Sequence, residues 1–118
     1  MKDKVKEFKQ CLKTFGYRNL DGNIMAKPLV FLLIYVKVTE EKAIFDVMFK
    51  TNDGSPMIWS EHEILFNEEN NYIFESGENL SNCIADTEFE LLAHHNPIFA
   101  GLNTEPFNFH TTLDIYDI

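Results

Sequence analysis

Beyond Lys50 the sequence contains no lysine or arginine. Phosphate recognition needs a cationic stripe, so nucleic acid and anionic membrane surfaces are poor partners for this chain, whose one basic stretch is a short helix face. Cysteine is scarce. Cys11 and Cys83 stand in separate segments without C-x-x-C spacing, which predicts two reduced thiols and neither a disulfide framework nor a metal site. The five glycines occur singly, and there is no glycine-rich phosphate loop, no dinucleotide fingerprint and no G-x-S-x-G elbow. The longest apolar run, Leu29 to Val36, falls well short of the roughly 18 residues that cross a bilayer. The first residues, Met1-Lys-Asp-Lys-Val-Lys-Glu-Phe, lack the apolar stretch of a secretory signal, so a cytoplasmic location is expected. The triplet Asn79-Leu80-Ser81 has the glycosylation pattern, which carries little weight in that setting.

With 118 residues the chain has the length of one domain, and residues 1–118 are expected to form a single unit around one core. Hydrophobic residues make up 45% and charged residues 25%, which argues against wholesale disorder despite a net charge of -9. Eleven Phe, four Tyr and one Trp favour a core built on strands, where aromatic side chains suit a pleated surface.

The charge is strongly divided. All ten cations lie in the first fifty residues against six acids there, a formal charge of +4. From Thr51 to Ile118 there are thirteen acids and no cation, a formal charge of -13. Those acids can be neutralised only by the N-terminal part, by solvent ions or by a partner. A solubilising surface is the plainest explanation; an electrostatic docking face for a cationic protein is the functional one.

Val5, Phe8, Leu12 and Phe15 recur at helical spacing while the lysines fall mostly elsewhere, predicting an amphipathic helix over residues 3–15 that ends at Gly16. Tyr17 to Lys27, with Asp21-Gly22-Asn23, reads as a loop. Leu29 to Val36 suits a central strand covered on both faces, and the alternation from Ala43 to Lys50 supplies its hairpin partner. Asn52 to Pro56 is a turn, Met57 to Phe66 a third strand and Tyr72 to Glu75 a fourth. Thr87 and Glu90 form a T-x-x-E capping box, which predicts a short helix over residues 87–95, stopped by Asn96-Pro97. Phe107 to Tyr116 alternates as a final strand. The expected class is α+β: an N-terminal helix packed on an antiparallel sheet of five or more strands, with a sandwich and a partial barrel both open.

No constellation points to catalysis, a cofactor or a metal. His62 lies between Glu61 and Glu63, but on a strand it faces away from both and shares its face with Ser60 and Ile64. His94 and His95 diverge by about 100° on a helix and cannot readily share a metal, and His110 could join them only through the tertiary fold. Cys83 has no nearby cation in sequence to stabilise a thiolate and reads as a small buried hydrophobe. Trp59 and Tyr116 are the candidate aromatic anchors for an interface, core packing being the simpler role for Trp59.

The size, the acidity and the cation-free segment from Thr51 to Ile118 resemble those of bacterial immunity proteins, the inhibitors encoded beside contact-dependent or secreted nuclease toxins. The resemblance implies a non-enzymatic cytoplasmic binder that caps a cationic toxin domain, its carboxylates standing in for substrate phosphates. The contact face expected on the third and fourth strands draws on Glu61, Glu63, Glu68, Glu69, Glu75 and Glu78. The alternative is a small-ligand protein or enzyme with an internal pocket lined by aromatic residues and histidine.

Overall fold

A computed structural model describes the backbone of residues 3–29, 32–50 and 56–101, and the side chains of residues 3–29, 32–48 and 62–93. The fold is α+β. Helix α1 spans Lys4–Thr14, and Asp3 caps it by accepting the Lys6 N–H on its carboxylate. At the other end Tyr17 N–H donates to Leu12 O and Gly16 N–H to Lys13 O, with Gly16 at a φ of 96°. This is a Schellman stop, which needs a residue free to enter the left-handed region. Phe8 and Leu12 are fully buried, as their spacing predicts.

Five strands follow: β1 (Arg18–Asp21), β2 (Ile24–Pro28), β3 (Leu33–Val38), β4 (Lys42–Lys50) and β5 (Pro56–Leu65). They form one antiparallel sheet in sequence order, so β3 is central. Ile34, Val36 and Val38 are buried toward the helices, whereas on the other face Leu33 is buried, Tyr35 half-buried and Lys37 exposed, so the expected cover on both faces is seen only at the start of the strand. The segment expected to be a loop instead holds the β1–β2 hairpin. Asp21 pairs with Ile24 across Gly22-Asn23, and Gly22 takes a φ of 52°. A two-residue turn with positive φ matches the twist of the strands it joins, and that turn chemistry, not the alternation of so short a pair, was the signal.

The fourth strand expected at Tyr72 to Glu75 is absent. Residues Glu68–Phe74 form a 3₁₀ helix that buries Ile73 and Phe74. Helix α2 then runs from Gly77 to Gly101. It begins ten residues before the expected capping box because Ser76 is the real cap: its hydroxyl accepts the Asn79 N–H. Thr87 is interior to the helix, and its hydroxyl donates back to Cys83 O. The helix also continues through Asn96-Pro97. A proline removes one hydrogen bond, a local cost that a long helix already packed through Leu80, Ile84, Thr87 and Leu91 can absorb. The predicted turn at 52–55 and the final strand at 107–116 lie outside the described residues.

Both helices cover the same sheet face. Ile34, Val36, Val38, Ala43, Phe45, Val47 and Ile64 form the core with Phe8, Leu12, Ile73, Phe74, Leu80, Ile84 and Leu91. Phe8 meets Phe45 edge-on at 6.1 Å between ring centroids and Phe66 at 5.4 Å, and Phe66 meets Phe74 at 5.2 Å. This aromatic chain links α1, β4 and the 3₁₀ helix. Among the described residues no helix is long and apolar enough to cross a membrane.

Candidate functional site

The register of β5 decides what reaches the site. Asp46 is opposite Glu61 and Val47 is opposite Trp59, so Ser60 is an extra, bulged residue. The bulge breaks the strict alternation that would make Ser60 a face mate of His62. Beyond it His62 pairs with Phe45 and Ile64 with Ala43, which puts both on the helix-covered face of the sheet. His62 sits at the uncovered margin of that face, beside α2.

An open cleft of about 460 Å³ lies there, between the end of β5, the 3₁₀ helix and one flank of α2. His62, Glu63, Tyr72, Asn82, Asp86 and Glu90 supply its main polar and aromatic groups. His62 Nδ1 is 3.9 Å from Glu90 Oε2. Sequence reasoning found no acid for His62 because it considered only neighbours on the strand; the acid comes from α2. Glu90 is 58% exposed, so the pair is loose and solvated. Asn70 donates its amide to Leu65 O at 2.7 Å and Asn79 donates to Tyr72 O at 2.8 Å, which pins both ends of the 3₁₀ helix. The Asn79 amide of the glycosylation triplet is therefore already engaged within the fold. Cys83 is half-buried against the core, and burial, with Asp86 and Cys11 adding to it, pushes its thiol above the ordinary value. Both cysteines are free thiols, and Cys83 is no activated nucleophile. No cluster of three metal-ligating side chains occurs among the described residues.

The opposite flank of α2 is closed. Tyr17 is buried, and its hydroxyl donates to Glu88 Oε2 at 2.8 Å. Lys27 Nζ donates to the same oxygen at 3.0 Å and lies 5.7 Å from the Tyr17 ring centroid. Burial first, and then the Glu88 charge and hydrogen bond, raise the Tyr17 phenol far above its ordinary 10.0. Two turns earlier, Ser81 Oγ lies 3.6 Å from Cys11 Sγ of α1.

The six acids expected to form one face are divided by the fold. Glu63 is ion-paired with Lys42 at 3.0 Å, and Glu61 lies in β5 with its side chain outside the described residues. Glu68 and Glu69 open the 3₁₀ helix, Glu75 follows it and Glu78 is in the first turn of α2. These four are exposed, and among the described residues none has a cation within 4.0 Å. Asp86 and Glu90, which line the cleft, were not among the six. The signal for them was available, since they stand one helical turn apart, but it required the longer α2. His94, His95 and Trp59 lie in described backbone with undescribed side chains, and His110 and Tyr116 lie outside the described residues.

No protein-family model, curated protein or solved structure was found to match this chain.

Proposed function

We propose that this chain is a protein-binding inhibitor, an immunity protein that neutralises a cationic, nuclease-type toxin by covering its active site with an acidic face. The supporting observation is the corner where the 3₁₀ helix meets α2. Glu68, Glu69, Glu75 and Glu78 stand exposed there without a cationic partner among the described residues, in a segment whose sequence supplies no Lys or Arg. Lys42 pairs with Glu63 and Lys27 with Glu88, and Lys4, the N-terminal cation that does reach the 3₁₀ helix, donates to Asn71 Oδ1 at 3.0 Å and lies 5.5 Å from the Phe74 ring centroid without an ion pair to any of the four acids. The proposed contact face is centred on this corner.

Uncompensated surface charge raises the rate of encounter with an oppositely charged partner and discriminates against others. The area required is modest, about 800 Å² from each side for a standard interface. A ligand-binding or catalytic reading would call for an enclosed cavity with a buried carboxylate beside His62. The cleft is open and Glu90 is mostly exposed, which favours the inhibitor reading.

Inhibition of a purified cationic nuclease domain, followed as a function of salt, tests the proposal. Replacing Glu68, Glu69, Glu75 and Glu78 together by Lys should slow association at least about tenfold at low ionic strength and flatten its salt dependence. Inhibition unchanged by the four reversals would remove the assigned face.

A further inference from the structure

Among the described residues the outer side of α2 has no partner within the fold. Leu80, Ile84, Thr87 and Leu91 turn inward. At 100° per residue Phe89 falls on the opposite side, with Ala85 and Ala93 one turn before and after it, and all three are exposed. Phe89 is 73% exposed, against 55% for Tyr72 and 44% for Leu65. Isolated apolar residues on a surface are ordinary. This one stands out of a smooth alanine-flanked ridge, with Asp86 next round the helix and Glu90 beyond it, at the lip of the cleft that Tyr72 borders. An aromatic anchor edged by charge is the arrangement that concentrates binding energy in protein interfaces.

Charge selects the occupant. A second copy of this chain carries -9 and, paired through the same face, would bring the same acids to Asp86 and Glu90. The chain's own segment from Leu102 to Ile118 carries Glu105, Asp114 and Asp117 and no Lys or Arg, so it too would meet like charge. Like-charge juxtaposition disfavours both. We propose that the outer face of α2 docks a cationic protein: Phe89 enters an apolar pocket on the partner, and a Lys or Arg from the rim of that pocket enters the cleft between Asp86 and Glu90. Asn82, on the same flank, can offer its carbonyl oxygen to the same cation. The proposal rests on the inhibitor reading for the nature of the partner, and adds the anchor and the cation-accepting cleft that the acidic corner alone lacks.

A randomised peptide library displayed against the full chain, with counter-selection on Phe89→Ser, supplies a defined probe. Selected peptides should carry net positive charge together with apolar residues. They should bind Phe89→Ser at least about tenfold more weakly than the unmodified chain, the loss typical of an anchor residue. Asp86→Asn with Glu90→Gln should weaken binding by about threefold or more at low salt, a loss that shrinks as salt is raised. Peptides without a basic bias, or binding indifferent to Phe89→Ser, would overturn the proposal. So would a chain that sediments as a dimer released by Phe89→Ser, which makes a second copy the occupant. A fluorinated Phe89 that shows no solvent isotope shift in the full chain would also overturn it, since the chain would then cover its own ridge. A nuclease domain inhibited through Glu68, Glu69, Glu75 and Glu78 but insensitive to Phe89→Ser would remove the docking proposal and leave the inhibitor reading standing.

Discussion

Along one flank of α2 the described polar groups that reach the fold are met: Ser81 by Cys11, and Glu88 by both Tyr17 and Lys27. Along the other, Asp86 and Glu90 border an open cleft, where among the described residues Glu90 meets only a loosely placed His62 at 3.9 Å. The same helix thus has a side that holds the molecule together and a side that, among the described residues, does not. Net charge hides this difference, because a carboxylate enclosed between a phenol and an ammonium group counts the same as one standing in water.

Substitutions along α2 can break or sharpen that contrast. Ile84 is fully buried on the inward face, and Ile84→Ala should cost about 2–5 kcal/mol in urea unfolding, which sets the scale for the helix as a whole. Glu88→Ala should come next, at about 1–3 kcal/mol, because it leaves the buried Tyr17 hydroxyl without its acceptor. Ser76→Ala removes the cap and should cost about 1 kcal/mol, with fraying confined to the first turn of α2 when followed by amide exchange. Asp86→Asn combined with Glu90→Gln should change stability by no more than about 0.5 kcal/mol. If that pair destabilised the fold as much as Glu88→Ala, the open flank would be structural and the contrast would fail.

The closed flank also has a signature in alkali. The Tyr17 phenol is raised above its ordinary 10.0, so above that pH the unfolded chain releases a proton that the folded chain retains. Stability present below pH 10 should therefore be lost as pH rises beyond it. Tyr17→Phe should reduce that slope, as read from unfolding curves at successive pH values. An unchanged slope would mean that Tyr17 ionises normally in the folded chain.

Periodic segments were legible in the sequence and the short or punctuated ones were not. The spacing from Val5 to Phe15 gave α1, and alternation gave β4 and most of β5, because each buries one continuous face. The β1–β2 hairpin was missed because its strands are too short to establish a period, though Gly22 marked the turn between them. The run Tyr72-Ile-Phe-Glu75 reads as a strand by propensity, but Ile73 and Phe74 reach the core from a 3₁₀ turn and the tertiary packing prevails. For α2, Thr87 and Glu90 imitate a beginning, while the cap in use, Ser76 with Asn79, lacks the reciprocal acid that makes a capping box recognisable. With the helix beginning at Thr87, Asp86 falls outside it, so the one-turn spacing of Asp86 and Glu90 that borders the cleft is not visible in the sequence pattern.

The sheet order β1-β2-β3-β4-β5 has a consequence for assembly. Each strand pairs with the one made just before it, so the sheet can grow by successive hairpins with little chain to close at each step. The Tyr17 to Glu88 bond spans 71 residues and fastens what arrives last. The helix that carries Phe89 and one edge of the acidic corner should accordingly be the first element to come away. Its amides are expected to exchange with solvent through an opening that leaves β3 and β4 protected, and equal protection across helix and sheet would show that the two separate only together.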